Sequence, residues 1–367
     1  MNIKIDIDDL FKKEFDIKSS SLNGHDVILI SPQAYPKWTN QDLIFRSSMW
    51  AKEADGTYTL ISAGFPKFFN LGEAPNIIPD PVKLTNTSIV EKLDGSLLTV
   101  TNYDHNLIHR TRGTFDASKL DNGYEIDILR TKYPRAFFNQ WINNNEYSLI
   151  YEWLSDEQKI IIGYPDCPDI RLVGCVKHSD YSLVSQNDLD DIAIKIGVKR
   201  PKRFEFSDLN TLITEIKALK GEEGCCIYFN NDQDIKKVKS DWYLVLHAFK
   251  AECSLEKILD IFIEFDQPNY SDFYTQILNR FDYECAQMAM PYISQICDVK
   301  QQVRSIVDGM HRFVAGLSNL QTRKDKALKI IEAYGQTNRA GFVFLILDNK
   351  PFDKEVYKKL YWQCLKK

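Results

Sequence analysis

The sequence predicts an α+β protein in two parts, a strand-rich region over 1–250 followed by an all-helical region over 251–367. Three observations carry that reading. The chain's 367 residues exceed the roughly 100–200 of a single domain. Short β-type runs recur between Gly, Pro, Asn and Asp punctuation from Val27 to about Phe249. Beyond Ala251 the apolar period lengthens from two to between three and four residues.

Taken in order, the β-type runs are VILI at 27–30, SLLTV at 96–100, SLIYEWL at 148–154, KIIIGY at 159–164 and WYLVLHAF at 242–249, a pattern expected of antiparallel strands. In the helical part Tyr292, Ile296, Val299, Val303, Ile306, Met310, Phe313 and Leu317 fall on one helix face. Pro268 precedes one helix, Pro291 stands near the head of another, Gly335 follows a third and Pro351 precedes the last. Residues 251–299 hold 2 basic and 9 acidic side chains, whereas 300–367 hold 14 basic and 6 acidic. The basic tail is either a phosphate-facing surface or a solvated helix face.

Hydrophobic residues at 44% and charged residues at 26% are enough to build cores and argue against disorder. A net charge of −5 and pI near 5.8 exclude a histone-like nucleic-acid coat. The N-terminal MNIKIDIDDLFKKEF lacks an apolar core and a cleavage site, so no secretory leader is expected. The longest apolar stretch, Gly341 to Leu347, falls far short of the roughly 18 residues of a membrane span. Eight cysteines without a C-x-x-C pair read as free thiols in a reducing cytoplasm.

P-loop, dinucleotide-binding, nucleophile-elbow and H-E-x-x-H motifs are absent. His105 and His109 have an i, i+4 spacing but no third ligand, and read as surface histidines. In the Cys225–Cys226 pair, alternation should turn one thiol inward as a small hydrophobe. What remains is Ser88-Ile-Val-Glu91-Lys92-Leu-Asp94-Gly95-Ser96, with Tyr151-Glu152-Trp153, Gly221-Glu-Glu223-Gly224 and Lys236-Lys237-Val-Lys239-Ser-Asp-Trp-Tyr243 downstream. Upstream lie Phe45-Arg46 and Gly64-Phe-Pro-Lys67-Phe-Phe69-Asn.

In this order the motifs resemble the covalent nucleotidyltransferases, the superfamily of RNA and DNA ligases and mRNA capping enzymes. With Arg110-Thr-Arg112-Gly added, the set is similar to the T-even bacteriophage RNA ligase 1 family, over most of the chain. Arg112 stands where lysine is expected; the charge survives, with different contact geometry. The resemblance implies an N-terminal nucleotidyltransferase domain over 1–250, with an ATP-grasp-like ligase fold of antiparallel sheets. An all-α domain over 251–367 would recognise RNA.

A lysine amine that captures AMP as a phosphoramidate is the nucleophile this chemistry needs, and Lys92 is the candidate. An ordinary lysine titrates near 10.4, so nearby cations and a metal are expected to lower it. Lys237 and Lys239 share one strand face and would serve that purpose while neutralising the α-phosphate. The resemblance implies that Arg46 and Lys67 hold the β and γ phosphates, that Phe69, Glu91, Arg112 and Tyr243 lie at the nucleotide site, and that Asp94 holds the loop or a metal-bound water. Gly95 permits close backbone approach. Glu152 and Glu223 are hard oxygen ligands for Mg²⁺, with Mn²⁺ as a substitute, and Glu152 has a ribose hydroxyl as its other option. Outside this set Lys237 and Lys239 would read as strand-edge solubilisers and Glu152 as the solvent side of its strand.

The expectation is therefore an ATP-dependent RNA ligase that joins 5′-phosphate and 3′-hydroxyl ends through lysyl-AMP. The family implies repair of broken tRNA anticodon loops by a monomer in the cytoplasm, the host's if the chain is phage-encoded. The alternatives are an mRNA guanylyltransferase, a DNA ligase, or a non-catalytic RNA-binding protein on a ligase scaffold. The first two usually carry an OB-type barrel where helices are expected here.

Overall fold

The computed structural model describes residues 3–5, 15–33, 37–138, 146–157, 161–281 and 283–366. The chain divides into two units, Met1–Val245 and Leu246–Lys367, five residues before the boundary expected from sequence. Each has its own core. The clusters of the first unit involve residues up to Val238, and the cluster of the second begins at Phe249.

Three sheets build the first unit. One runs β1-β5-β4-β3-β2, from β1 (Lys4–Ile5), β2 (Phe15–Leu22), β3 (His25–Pro32), β4 (Ser48–Lys52) and β5 (Tyr58–Ala63). Asn23 and Gly24, both at positive φ, close the β2–β3 hairpin, the turn chemistry that matches strand twist. A third sheet, β12-β7-β13-β14-β6, comprises β6 (Phe69–Asn70), β7 (Ser88–Lys92), β12 (Arg203–Phe204), β13 (Gly224–Phe229) and β14 (Asp234–Lys239). Between these in sequence, β8 (Ser96–Tyr103), β9 (Asn106–Arg110), β10 (Tyr147–Leu154) and β11 (Asp169–Lys177) form the sheet β11-β10-β8-β9.

Helices cover one face of the second and third of these sheets. Leu149, Tyr151 and Trp153 of β10 pack with Leu129 of α1 (Tyr124–Lys132), Ala136 of α2 (Pro134–Phe138) and Leu189 and Ile192 of α3 (Gln186–Ile196). Alternation sends Ile150 and Glu152 to the other face. Ile89, Cys225 and Ile227 pack on Leu212 and Ile216 of α4 (Leu209–Ala218), while Val90, Cys226 and Tyr228 turn to the opposite cluster. Both thiols of the Cys225–Cys226 pair are thus buried, on opposite faces of a strand covered on both sides.

Two expected strands differ. Residues 242–249 are helical, inside α5 (Asp241–Glu252): the Ser240 hydroxyl accepts the Tyr243 N–H at 3.1 Å, and Tyr243 and Leu246 are buried while Leu244 and Val245 are exposed. A capping serine and a three-residue burial period outweigh the β-rich composition. Of KIIIGY, Lys159 and Ile160 lie outside the described residues, and 161–164 form no strand. The N–H groups of Ile161 and Ile162 instead donate to Oδ2 of Asp94, at 2.6 and 2.9 Å.

Among its described residues the second unit contains only helical elements, the end of α5 followed by α6 (Leu255–Glu264), α7 (Tyr270–Arg280), α8 (Tyr283–Gly316), α9 (Arg323–Tyr334), α10 (Ala340–Leu347) and α11 (Lys354–Leu365), with two short 3₁₀ turns. Ser254, Asn269, Thr322 and Asp353 each accept an N–H of the first turn that follows. Ile296, Val303, Met310 and Leu317 of the expected stripe are buried, and Tyr292, Val299, Ile306 and Phe313 pack around them. Pro291 sits inside α8 rather than at its head, because Cys285, Ala286 and Ala289 extend the buried face toward the N-terminus. Among the described residues no helix is long and apolar enough to cross a membrane.

The register of the third sheet fixes the site. Lys92 pairs with Gly224, and Gly224 with Lys239, so two lysines flank a residue without a side chain. Gly224 has φ +142, and a Cβ there would lie 2.0 Å from the Val238 carbonyl. Gly224→Ala is expected to cost about 3 kcal/mol, from backbone strain and overpacking together. A fall of roughly 5–10 °C in thermal midpoint, followed by circular dichroism, would show it.

Candidate active site

Lys92 ends β7, and the next three residues turn the chain into β8. Gly95 makes that turn, since a Cβ there would lie 2.2 Å from the Trp153 carbonyl on β10. The Gly95 N–H donates to Oε1 of Glu152 at 3.0 Å, which holds this carboxylate across from Lys92. Between them lies a cavity of about 600 Å³, lined by Arg46, Glu91, Lys92, Gly95, Arg112, Glu152, Lys237 and Lys239 among others. These eight are expected site residues.

The other five are not among its lining residues, and Lys67 lines a neighbouring cavity. Glu223, 2% exposed, receives Lys92 Nζ at 2.7 Å on one oxygen and Lys239 Nζ at 2.9 Å on the other. Asp94 is a buried strut: Oδ1 accepts the Tyr243 hydroxyl at 2.8 Å, and Oδ2 holds the two backbone N–H groups of 161 and 162. With both oxygens engaged by protein donors, Asp94 suits loop-holding better than a metal-bound water. Tyr243 also places its ring 4.7 Å from Lys239 Nζ. Phe69 is buried beneath Lys67 and Lys236, with ring centroid to nitrogen distances of 4.8 and 5.8 Å.

Several contributors escape the sequence reading. Phe68, one residue from the aromatic expected, lines the cavity and carries the Arg46 guanidinium at 4.9 Å and Lys237 Nζ at 5.5 Å. Cys226 and Tyr228 line it too, as strand alternation from Gly224 would have indicated. Tyr164 accepts the Asp94 N–H at 2.8 Å. His109 stacks on Phe137 at 5.3 Å, and burial pushes its imidazole down to about 4. No group of three or more metal-ligating side chains occurs among the described residues.

The electrostatics reverse one expectation. Burial alone would lower Lys92, but Glu223 and Glu152 outweigh it and hold the amine above the ordinary lysine value. Lys237 is brought down instead, to about 8, by burial and by Lys92, Lys67, Lys239 and Arg46, and burial with Arg46 and Arg112 lowers Lys67 as well. Burial, with Arg112 nearby, lowers Arg46 to about 10, and its Nη1 is buried without a hydrogen-bond partner. Burial and the neighbouring Glu223 raise Glu152 to about 7, against the pull of Lys92.

Glu152 is therefore an under-compensated hard oxygen donor on the cavity wall, which fits a divalent cation. Glu223, expected as the second ligand, has both oxygens taken by ammonium groups. Because Glu152 is raised in the folded state, its neutral form adds stability below the ordinary carboxylate value, and that stability is lost as pH rises through about 7. Glu152→Gln is accordingly expected to gain about 3 kcal/mol over the parent at pH 8 and far less near pH 5, measured by urea unfolding at both.

A family model described as RNA ligase matches residues 46–253, a span that includes every site residue named above. A protein of Autographa californica nuclear polyhedrosis virus, named as a bifunctional polynucleotide kinase/RNA ligase, is 25% identical over 253 residues, covering 64% of this chain and 35% of that one. An RNA ligase of Rhodothermus phage RM378 is 26% identical over 274 residues, 58% of this chain and 62% of its own. Among solved structures, an archaeal ATP-dependent RNA ligase aligns over 83% of this chain and 79% of its own, with 14% identity and a TM-score of 0.47. The chain spans less than two thirds of either relative, yet more than half of it matches the family model, and it belongs to the RNA ligase family of the T4 RNA ligase 1 type.

Proposed function

We propose that this chain is an ATP-dependent RNA ligase that works through lysyl-AMP at Lys92. The observation that carries the reading is the amine of Lys92 on the cavity floor, 2.7 Å from a buried carboxylate and facing Lys237 and Lys239. Lys92 passes a proton to Glu223, and its freed lone pair attacks the α-phosphorus of ATP. A P–N bond forms, the bond to pyrophosphate breaks, the departing pyrophosphate takes the second proton from nitrogen, and Lys237 and Lys239 offset charge on the α-phosphate. Arg46, with its unpartnered Nη1, and Lys67 orient the leaving phosphates.

In the second step a 5′-phosphate oxygen of RNA attacks the same phosphorus, the P–N bond to Lys92 breaks, and the departing amine takes back the proton held by Glu223. A 3′-hydroxyl then attacks the activated 5′-phosphorus, and AMP departs with the hydroxyl proton. Glu152 would hold Mg²⁺ or Mn²⁺, which supplies charge neutralisation when bound. Glu223 sets the protonation of the nucleophile. The basic 300–367 segment and the family resemblance support tRNA as the substrate, with an anticodon-loop break as the lesion. Helices rather than a barrel follow the last lysine motif, which supports this reading over a capping enzyme or a DNA ligase.

Lys92→Ala is expected to abolish covalent labelling by α-³²P-ATP while leaving the circular dichroism spectrum unchanged. Label from GTP instead of ATP in the parent would favour the capping reaction, and label from neither a non-catalytic module. A chain ending at Glu252 keeps every core cluster of the first unit. It is expected to adenylate at the parent rate and to lose at least about tenfold in sealing a nicked tRNA, one stack or a few phosphate contacts being worth that much.

A further inference from the structure

The second unit contains a cleft of about 620 Å³ built from three places in its sequence: Glu256 at the head of α6, Asn338 and Phe342 around the start of α10, and Lys359, Trp362, Gln363 and Lys366 along α11. The lysines and the tryptophan share one helix face because 359, 362, 363 and 366 follow the three-and-four spacing. Trp362 is half-buried, and Lys366 Nζ sits 5.7 Å from its ring centroid.

Charge selects what this cleft takes. Its one acid, Glu256, is engaged by Lys358 at 3.1 Å, and Lys358 also binds Asp260 at 2.8 Å. Lys359 and Lys366 are exposed and have no acidic partner among the described residues, so the lining is left cationic. Arg339 donates to Oε1 of Gln363 at 2.9 Å, which fixes that amide and leaves its nitrogen as a donor. An aromatic face, two unneutralised ammonium groups and a fixed amide donor match one unstacked base and the phosphates on either side of it. An apolar peptide would leave the lysines unmatched, and a duplex offers no free base face.

We propose that this cleft binds an unpaired nucleotide of the RNA substrate, with the base stacked on Trp362 and flanking phosphates on Lys359 and Lys366. The proposal rests on the ligase reading only for the identity of the strand as RNA; the cleft involves no residue of the first unit.

The test uses the full chain and a fluorescein-labelled, 5′-phosphorylated single-stranded oligoribonucleotide, with anisotropy measured over a range of salt. Trp362→Ala is expected to weaken binding roughly tenfold, the scale of one lost base stack, while Trp362→Phe stays within about threefold. Lys359→Ala with Lys366→Ala is expected to reduce the slope of log affinity against log salt by about 1.4, two single-strand phosphate contacts. Unchanged affinity and slope in these variants would overturn the proposal, and so would equal losses for Phe and Ala at 362, which mark a packing role. If Trp362→Ala melts below the parent, the exposed double-lysine variant and Trp362→Phe decide. Covalent labelling by ATP, followed in the same preparations, is expected to be unchanged; its absence from the parent would refute the ligase reading while the binding data still judge the cleft.

Discussion

A carboxylate shared by two ammonium groups and sealed from water sets the geometry of the first unit. Glu223 is 2% exposed and takes Lys92 on one oxygen and Lys239 on the other. Buried ion pairs return little net stability, because desolvation of each charge offsets most of the attraction, so stability alone is a weak reason for this cluster. What it achieves is position. Two long, rotamer-rich side chains are tied to one point, and the row Lys92–Gly224–Lys239 is possible only because Gly224 contributes no side chain between them. Tyr243 closes the cluster by laying its ring on Lys239.

Asp94 performs the same service for the backbone. One buried side chain receives the hydroxyl of Tyr243 from the first turn of α5 and two amide N–H groups from the loop after β10, while its own N–H reaches Tyr164. These elements are distant in sequence, and hydrogen bonds to a charged acceptor are about twice as strong as neutral ones. The residue two positions beyond the nucleophile candidate thus indexes the surrounding loops to β7. It also explains why 161–164 is not a strand: donors given to a carboxylate are unavailable to a neighbouring strand.

Local patterns in the sequence were enough to read the faces of β10 and the buried stripe of α8, because each is fixed by residues within a turn or two. The same patterns misread 242–249, where β-branched and aromatic residues are helical, and the deciding signal, Ser240, lies just outside the run. At the site, residue identity was legible and protonation was not. Lys237 and Lys239 were visible as a pair on one strand face, but the partner of Lys92 lies 131 residues away and depends on cross-strand register. Without that register the natural expectation was a nucleophile surrounded by cations. Phe68 and Phe69 differ in role for a similar reason, since which ring faces the cavity is decided by how β6 pairs with β14.

The register has a consequence for charge. Arg46, Lys92, Arg112, Lys237 and Lys239 line the cavity against two carboxylates, Glu91 and Glu152, and Glu91 is turned to the backbone of Lys202. Such a wall is positive before any substrate arrives, and burial together with the repulsion of Lys92, Lys67, Lys239 and Arg46 brings Lys237 down. A polyanion entering here relieves that repulsion and raises Lys237 toward its ordinary value. The same polyanion competes with Glu223 for Lys239, whose Nζ lies 2.9 Å from that carboxylate. In the reaction proposed for this chain, the cluster that ties Lys92 to Glu223 is the one that a triphosphate would loosen.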